Sequence, residues 1–187
     1  MVTGRSAQWV VGAQSLTSAD PESVKRAFAP VVDECTRVLV LGSLPGDASL
    51  AASQYYAHPR NGFWRLISAV VGRDLVSLAY PDRLQALRAY GIGLWDVIAT
   101  AERQGSLDAA IRNPEAADLR TLIGSLPNLR AVAFNGATAA KLGRRQLTGV
   151  SSPVQMIDLP SSSPAHARPM AEKAARWAQL TALLAGD

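Results

Sequence analysis

The sequence predicts an α/β fold, a single three-layer α/β/α domain around a central, mostly parallel four-stranded sheet. Short apolar runs typical of buried parallel strands recur along the chain, and segments with apolar residues at helical spacing lie between them. This alternation is typical of helices packed on both faces of a parallel sheet. The chain contains no internal repeat or low-complexity linker, so we expect an N-terminal arm at 1–30 and one domain at 31–187.

The composition excludes several classes of protein. The 187 residues, 48% hydrophobic and 18% charged, suffice for one domain with a substantial core. No apolar run approaches the roughly 20 residues that cross a bilayer, and no signal-peptide core is evident, so we expect a cytoplasmic protein without a membrane partner. The single cysteine, Cys35, excludes an internal disulfide and a cysteine-ligated metal cluster. The net charge of +4 is compatible with a polyanion partner, but it is mild.

The strands of the sheet are predicted from short, apolar segments that are too short for helices. In chain order they are Val38–Leu41, a run from Gly91 to about Asp96, Arg130–Phe134 and Val154–Asp158.

The helices are predicted from apolar spacing and capping residues, after a loose arm at 1–18. The predicted helices, in chain order, are Pro21 to about Arg26 with Asp20 as cap, Phe63–Val71, one that begins at Pro81, Leu107–Arg112, one that follows Pro114 and one that follows Gly136. A last helix begins at Pro169, with a buried stripe of Met170, Ala174, Trp177, Leu180 and Leu184.

Polar residues follow the carboxyl end of every predicted strand. The carboxyl ends of parallel strands meet at one edge of a sheet, and ligands of open α/β sheets bind there. Both histidines of the chain also fall in these loops. We therefore expect one site, built from Ser43, His58, Asp96, Asn135, Ser161–Ser163 and His166.

Each of these residues also has a purely structural interpretation. Asn135 with Gly136 is the composition of a simple turn, and Asp96 could cap the following segment. His58 and Asn61 could tie down their own loop through backbone hydrogen bonds. The serine run could be a solvated turn, and the tyrosines at 55 and 56 would singly suit a core. The concentration of these residues at one edge favours the functional interpretation.

Known nucleotide and nucleophile motifs are missing from the loop at 42–46. It lacks the Gly-Lys-Ser/Thr ending of a phosphate-binding loop, and the chain has neither a dinucleotide fingerprint nor a nucleophile elbow. Two histidines without a carboxylate cluster do not form a usual zinc site. We expect a site without metal or cofactor, whose neutral polar groups and aromatic rings favour a planar, uncharged ring such as a nucleobase.

Five motifs stand in order along the chain: Gly-Ser-Leu-Pro-Gly at 42–46, Gln-Tyr-Tyr-Ala-His-Pro-Arg-Asn at 54–61, Leu-Trp-Asp-Val at 94–97, Phe-Asn-Gly at 134–136 and Ser-Ser-Pro-Ala at 162–165. Together they resemble the uracil-DNA glycosylase superfamily, and within it most closely the DNA-deoxyinosine (hypoxanthine-DNA) glycosylase family. The resemblance extends from about Val31 to the C-terminus.

The resemblance implies a base excision repair enzyme, and we expect it to act without a cofactor and as a monomer. Such a monofunctional DNA glycosylase hydrolyses the N-glycosidic bond of a flipped-out deaminated base, hypoxanthine or uracil, and leaves an abasic site. Its partner would be damaged or mismatched DNA, duplex or single-stranded.

The resemblance also assigns roles to individual residues. Asn61 and Asn135 would be catalytic, and the serine loop with nearby basic residues would hold DNA phosphates. The implied substrate-binding residues are Gly42, Ser43, Leu44, Pro45, Gly46, Tyr56, His58 and Asp96, and the implied DNA-binding residues are Ser161, Ser162, Ser163, His166, Arg60 and Arg168.

Two positions depart from the wider superfamily. Leu44 stands where most branches carry the Asp or Asn that positions the attacking water, and Leu159 stands where several branches place a histidine. These departures keep an alternative open, a non-catalytic DNA lesion-binding module on the same fold. A nucleoside hydrolase is a weaker alternative, because the serine-rich loop at 161–163 suits a DNA backbone rather than a free nucleoside.

Overall fold

The predicted parallel sheet forms the centre of the fold. The computed structural model describes residues 24–150 and 154–185. Its strands are β1 (Val24–Arg26), β2 (Val38–Gly42), β3 (Ile92–Asp96), β4 (Ile98–Glu102), β5 (Arg112–Ala116), β6 (Ala131–Asn135) and β7 (Gln155–Leu159). Four of them form a parallel sheet in the order β3-β2-β6-β7. The α/β class and the four-stranded parallel sheet are confirmed.

Helices cover both faces of this sheet. They are α1 (Asp47–Ala52), α2 (Phe63–Val71), α3 (Tyr80–Ala89), α4 (Leu119–Gly124), α5 (Ala137–Gln146), α6 (Met170–Trp177) and α7 (Gln179–Leu184). In β2, Val38 and Val40 pack in one apolar core with α2, α3, α6 and α7, whereas Leu39 and Leu41 pack in a second core with α4 and α5. Successive strand residues point to opposite faces, so an unbroken apolar run is what a strand covered on both sides requires. None of the described helices is long and apolar enough to cross a membrane.

The strand register brings the expected site residues to one edge. Gly42 at the end of β2 pairs with Asp96 at the end of β3, and Asn135 at the end of β6 pairs with Leu159 at the end of β7. The four carboxyl ends therefore stand side by side, and the loops that follow them surround a common space.

A second sheet, which the sequence analysis does not predict, lies beside the first. It is antiparallel, in the order β1-β4-β5. The helix expected over Leu107–Arg112 is wrong, because only a single 3₁₀ turn forms at Asp108–Ala110 before the chain pairs with β4. Pro114 lies in the edge strand β5, where its missing N–H is tolerated, and α4 begins only at Leu119.

Both ends of the chain also differ from expectation. The helix predicted from Pro21 to about Arg26 is wrong at its C-terminal end, because Val24–Arg26 forms strand β1. The rest of that helix, its Asp20 cap and the loose arm fall within residues 1–23, which lie outside the described residues. The single helix expected from Pro169 is two helices, α6 and α7, that meet at Ala178. The helices expected over 63–71 and from about 81 are confirmed.

Candidate active site

A cavity of about 600 Å³ opens at the carboxyl edge of the parallel sheet. It lies among the loops that follow β2, β3, β6 and β7. Its lining includes every residue assigned to the site from the sequence except Arg168: Gly42, Ser43, Leu44, Pro45, Gly46, Tyr56, His58, Arg60, Asn61, Asp96, Asn135, Ser161, Ser162, Ser163 and His166.

The floor of the cavity is formed where Gly42 meets Asp96. A Cβ at position 42 would stand 2.6 Å from Asp96 Oδ1 and 3.3 Å from the Tyr56 hydroxyl oxygen, so glycine allows both side chains to approach the strand. Asp96 is 3% exposed, and its burial raises its pKa to about 7, although the nearby Tyr55 hydroxyl and Arg103 favour the ionised form. Neither Asp96 Oδ2 nor the Tyr55 hydroxyl has a hydrogen-bond partner among the described residues. The carboxyl can therefore donate or accept a hydrogen bond near neutral pH.

Tyr56 forms an aromatic wall of the cavity. Its ring stacks on Phe63 with centroids 3.8 Å apart and planes 12° from parallel. Its backbone has a φ of 55°, a left-handed conformation that is uncommon for a bulky residue. Burial raises the pKa of the Tyr56 hydroxyl, which accepts a hydrogen bond from Asn135 Nδ2 at 3.2 Å. The ring is thus fixed from behind, and it remains neutral in the physiological range.

Asn135 ties this wall to the serine loop. Its Nδ2 donates to the Tyr56 hydroxyl and to Ser162 Oγ, the latter at 2.9 Å, and its Oδ1 accepts from the Ser162 backbone N–H at 2.8 Å. Both amide hydrogens are therefore directed to protein atoms. The arrangement suits a residue that holds Tyr56 and Ser162 in place rather than one that donates to a ligand.

His58 and Asn61 line the cavity and also hold their own loop. Asn61 Oδ1 accepts from the Phe63 backbone N–H at 3.0 Å, and His58 Nδ1 accepts from the Arg60 backbone N–H at 3.1 Å. Asn61 Oδ1 and His58 Nδ1 therefore tie down their own loop through backbone hydrogen bonds, as the purely structural interpretation of these residues expects. The Asn61 Nδ2 group donates to no protein acceptor among the described residues.

The serine loop at 161–163 is supported from behind by α6. The Trp177 indole N–H donates to the Pro160 carbonyl at 3.0 Å, and buried Lys173 donates to the Ser163 carbonyl at 3.3 Å. The Gly62 N–H donates to the Ser162 carbonyl at 2.9 Å. These bonds fix the backbone of the loop at the rim of the cavity.

The loop at 42–46 is held by an arginine that the sequence analysis missed. Arg103 is 2% exposed, and its guanidinium donates to the carbonyls of Leu44 and Pro45. Its burial lowers its pKa, whereas Asp108, Asp47 and Asp96 oppose that shift. The N–H groups of Leu44 and Gly46 donate to no acceptor within the described residues, and both residues line the cavity.

The turn that contains Arg103 also closes one side of the cavity. Ser43 Oγ donates to Asp108 Oδ1 at 2.7 Å, and the Asp47 N–H donates to Ser106 Oγ at 2.9 Å. The available sequence signal was the pair Gly105-Ser106, which is typical of turns.

Arg168 lies outside the main cavity. It lines a neighbouring groove of about 550 Å³ that shares Ser161 and His166 with the cavity. Lys141 and Arg176 line the same groove, where Arg144 is paired with Asp158 at 2.9 Å. The groove therefore adjoins the rim of the cavity, and positively charged side chains line it. In the described part of the chain, no group of three or more His, Cys, Asp or Glu side chains is arranged to hold a metal ion.

Several known proteins are similar to this chain over most of its length. A family model described as the uracil DNA glycosylase superfamily matches residues 29–184. The chain is 41% identical over 155 residues to a hypoxanthine DNA glycosylase of Methanosarcina barkeri, covering 83% of this chain and 96% of that protein. It is 40% identical over 154 residues to the protein of the same name from Methanosarcina acetivorans, covering 82% and 96%. The solution NMR structure of a candidate uracil DNA glycosylase from Methanosarcina acetivorans superposes with a TM-score of 0.77 at 38% identity, covering 86% of this chain and 98% of that one.

Proposed function

Since the chain belongs to the uracil DNA glycosylase superfamily, we propose that it is a DNA repair glycosylase that removes a deaminated base, hypoxanthine or uracil, and leaves an abasic site. The observation that carries this proposal is the cavity at the carboxyl edge of the sheet, which is lined by a fixed tyrosine ring and by the buried carboxyl of Asp96, whose Oδ2 has no hydrogen-bond partner among the described residues. The two relatives named hypoxanthine DNA glycosylase support hypoxanthine as the first substrate to test.

The size of the cavity suits an extruded nucleotide. Its volume of about 600 Å³ falls within the roughly 300–1,000 Å³ of small-molecule sites. A base in a duplex must leave the stack before its glycosidic bond can be reached, at a cost of a few kcal/mol. We propose that the flipped base stacks on Tyr56, since stacking on an aromatic ring contributes about 1–3 kcal/mol and Phe63 prevents the ring from yielding.

Asp96 is the group we propose to recognise the edge of the base. Hypoxanthine and uracil each present a ring N–H donor beside a carbonyl acceptor. The ionised Asp96 carboxylate accepts from the N–H, and the protonated form donates to the carbonyl. Adenine and cytosine present an amino group beside an unprotonated ring nitrogen, which a carboxyl can also meet, so Asp96 orients the edge of the base and does not by itself exclude these bases.

The backbone of the loop at 42–46 is proposed to stabilise the leaving base. Breaking the glycosidic bond moves negative charge onto the base and leaves an oxocarbenium-like sugar. We propose as donors for that charge the N–H groups of Leu44 and Gly46, which have no acceptor among the described residues; loss of one such donor typically costs about 10²–10³ in rate. Arg103 holds the intervening carbonyls away from them. Leu44 would thus act through its N–H, so its apolar side chain does not prevent catalysis.

We propose separate roles for the two asparagines. Asn61, whose Nδ2 has no acceptor in the part of the chain that the structure describes, would orient the attacking water or hold the base edge. Asn135 would act as a positioning residue for Tyr56 and Ser162. Neither role requires a histidine at position 159. Leu159 itself is buried in the core.

DNA phosphates on either side of the lesion would lie along the cavity rim. Ser161, Ser163 and His166 would meet the nearest phosphates, with Arg60 at the mouth and Arg168 in the neighbouring groove. Contacts of this kind position the DNA and carry no sequence information. We further propose that residues 31–187 act as one catalytic domain and that the protein works as a monomer, which light scattering after size-exclusion chromatography would check.

The direct test is a glycosylase assay on duplexes that contain one hypoxanthine or one uracil, followed by alkaline cleavage of abasic sites. We expect strand breaks at the lesion, with hypoxanthine first. Binding to the lesion duplex without any breaks would instead favour the non-catalytic lesion-binding module.

Two matched variants test the proposed role of Asn61. Asn61→Ser keeps an oxygen that can cap the Phe63 N–H but removes the amide, so we expect a rate loss of about 10²–10³ with little loss of stability. Asn128→Ala changes an exposed asparagine elsewhere on the surface and should leave the rate unchanged. A normal rate for Asn61→Ser would refute the residue assignment and leave the function intact.

A further inference from the structure

Arg103 is a buried arginine that stands behind the loop at 42–46. It follows strand β4 of the antiparallel sheet and is 2% exposed, and it is not among the described residues that line the cavity. Its guanidinium donates to the Leu44 carbonyl at 3.3 Å and to the Pro45 carbonyl. A buried charge is costly unless it is hydrogen-bonded. The two carbonyls therefore hold the guanidinium in place, and the guanidinium in turn fixes the middle of the loop.

The turn that follows Arg103 holds the flanks of the same loop. Ser43 Oγ donates to Asp108 Oδ1 at 2.7 Å, and the Asp47 N–H donates to Ser106 Oγ at 2.9 Å. The backbone on either side of the two bound carbonyls is therefore anchored as well. What the guanidinium controls is the orientation of the peptide units between these anchors.

The direction of a backbone N–H is fixed by the carbonyl of the preceding residue. Both groups belong to one planar peptide unit, and in a trans unit they point in opposite directions. No peptide bond of the described residues is cis. Because Arg103 binds the Pro45 carbonyl from behind the loop, the Gly46 N–H points away from Arg103, to the other side of the loop. Gly46 lines the cavity on that side, and its N–H has no acceptor among the described residues.

The Leu44 N–H is directed in the same way but by the main chain alone. The Ser43 carbonyl, which shares its peptide unit, accepts from the Ile98 N–H at 3.1 Å. A side-chain substitution leaves that bond in place. The two proposed donors to the leaving base therefore differ, because only the Gly46 N–H depends on a side chain for its direction.

On the basis of the proposed function, we infer that Arg103 is a positioning residue that aims the Gly46 N–H at the base through the Pro45 carbonyl. The donor is then in place before negative charge moves onto the leaving base, and donors that need no reorganisation stabilise such charge most effectively. The antiparallel sheet thus supports the chemistry of a site that it does not line at this residue.

The test measures the maximal single-turnover rate and the half-saturating protein concentration separately, on a duplex that contains one hypoxanthine. Arg103→Ala releases the Pro45 carbonyl, so we expect the maximal rate to fall by about 10²–10³. The half-saturating concentration should stay within about twofold of wild type, because the proposed phosphate contacts lie elsewhere on the rim. Arg103→Lys replaces the planar fork by a compact ammonium and should lose about tenfold or more of the rate.

The matched control is Arg37→Ala. Arg37 is also a partly buried arginine that donates to a backbone carbonyl, that of Leu184 at 2.6 Å, but it does not line the cavity. This variant should lose stability in urea unfolding and keep the wild-type rate. A second readout is rescue by guanidinium chloride at tens of millimolar, with sodium chloride at equal concentration as the control for ionic strength. Guanidinium should raise the rate of Arg103→Ala severalfold and leave the rate of Arg37→Ala unchanged.

Several results would overturn the assignment. A folded Arg103→Ala or Arg103→Lys protein with the wild-type rate would refute it, and the lysine variant decides if the alanine variant does not fold. A higher half-saturating concentration with an unchanged maximal rate would assign Arg103 to DNA binding instead. A loss of rate that guanidinium does not reverse would mark Arg103 as general support of the fold. Absence of cleavage by the wild-type protein would refute the proposed function on which this inference rests.

Discussion

Replacing Asp96 by asparagine is expected to change how the stability of this protein depends on pH. Burial raises the pKa of Asp96 from 3.8 to about 7 in the folded protein. Between these two values the folded state keeps a proton that the unfolded chain has lost. Stability therefore falls as pH rises from about 4 to about 7, and this contribution levels off above the folded pKa.

The magnitude follows from the difference between the two pKa values. At about 1.36 kcal/mol per pKa unit, the full effect is on the order of 4 kcal/mol. About 3 kcal/mol of it is lost between pH 5 and pH 8, because part of the transition lies below pH 5. Asparagine has the same shape and does not titrate, so Asp96→Asn should lose that much less stability over the same interval.

The assay is urea unfolding of both proteins at pH 5 and pH 8 and at constant ionic strength. Each protein serves as its own reference, so the cost of the substitution itself cancels. Burial lowers the pKa of His166, so the contribution of His166 to stability rises with pH. His166 is present in both proteins, so this contribution cancels when the two are compared. An Asp96→Asn protein that loses as much stability from pH 5 to pH 8 as wild type would refute the assigned pKa.

Three further predictions concern the site and the groove. Gly42→Ala places a Cβ 2.6 Å from Asp96 Oδ1, so excision should fall by about 10² or more while circular dichroism shows a folded protein. Tyr56→Phe removes the acceptor of an Asn135 hydrogen bond and should cost about 1 kcal/mol in urea unfolding; a large loss of activity as well would show that the hydroxyl, and not only the ring, is needed. Arg176→Ala should weaken binding to DNA of any sequence and lower the slope of log K against log salt by about one, whereas Arg73→Ala, outside the groove, should leave that slope unchanged.

The parallel sheet was predictable because its strands are buried on both faces. A strand that is buried on both faces requires an unbroken apolar run such as Val38–Leu41. Such a run can be recognised in the sequence without knowing which strands lie beside it. The strands of the antiparallel sheet contain no unbroken apolar run of this kind. Strand β5 is exposed along its whole length and contains Pro114, so it exists only because β4 supplies its hydrogen-bond partners.

The residues of the site were predictable for a related reason, whereas their contacts were not. Parallel strands deliver their carboxyl ends to one edge, so Gly42, Asp96 and Asn135 could be grouped from their places in the chain alone. Which groups remain free was decided by tertiary structure. The burial of Arg103 depends on carbonyls at 44 and 45, and the use of both Asn135 amide hydrogens depends on Tyr56 and Ser162, all distant in sequence. Hydrophobic periodicity is a local property that a sequence displays, whereas hydrogen-bond partners and desolvation arise only when distant segments pack together.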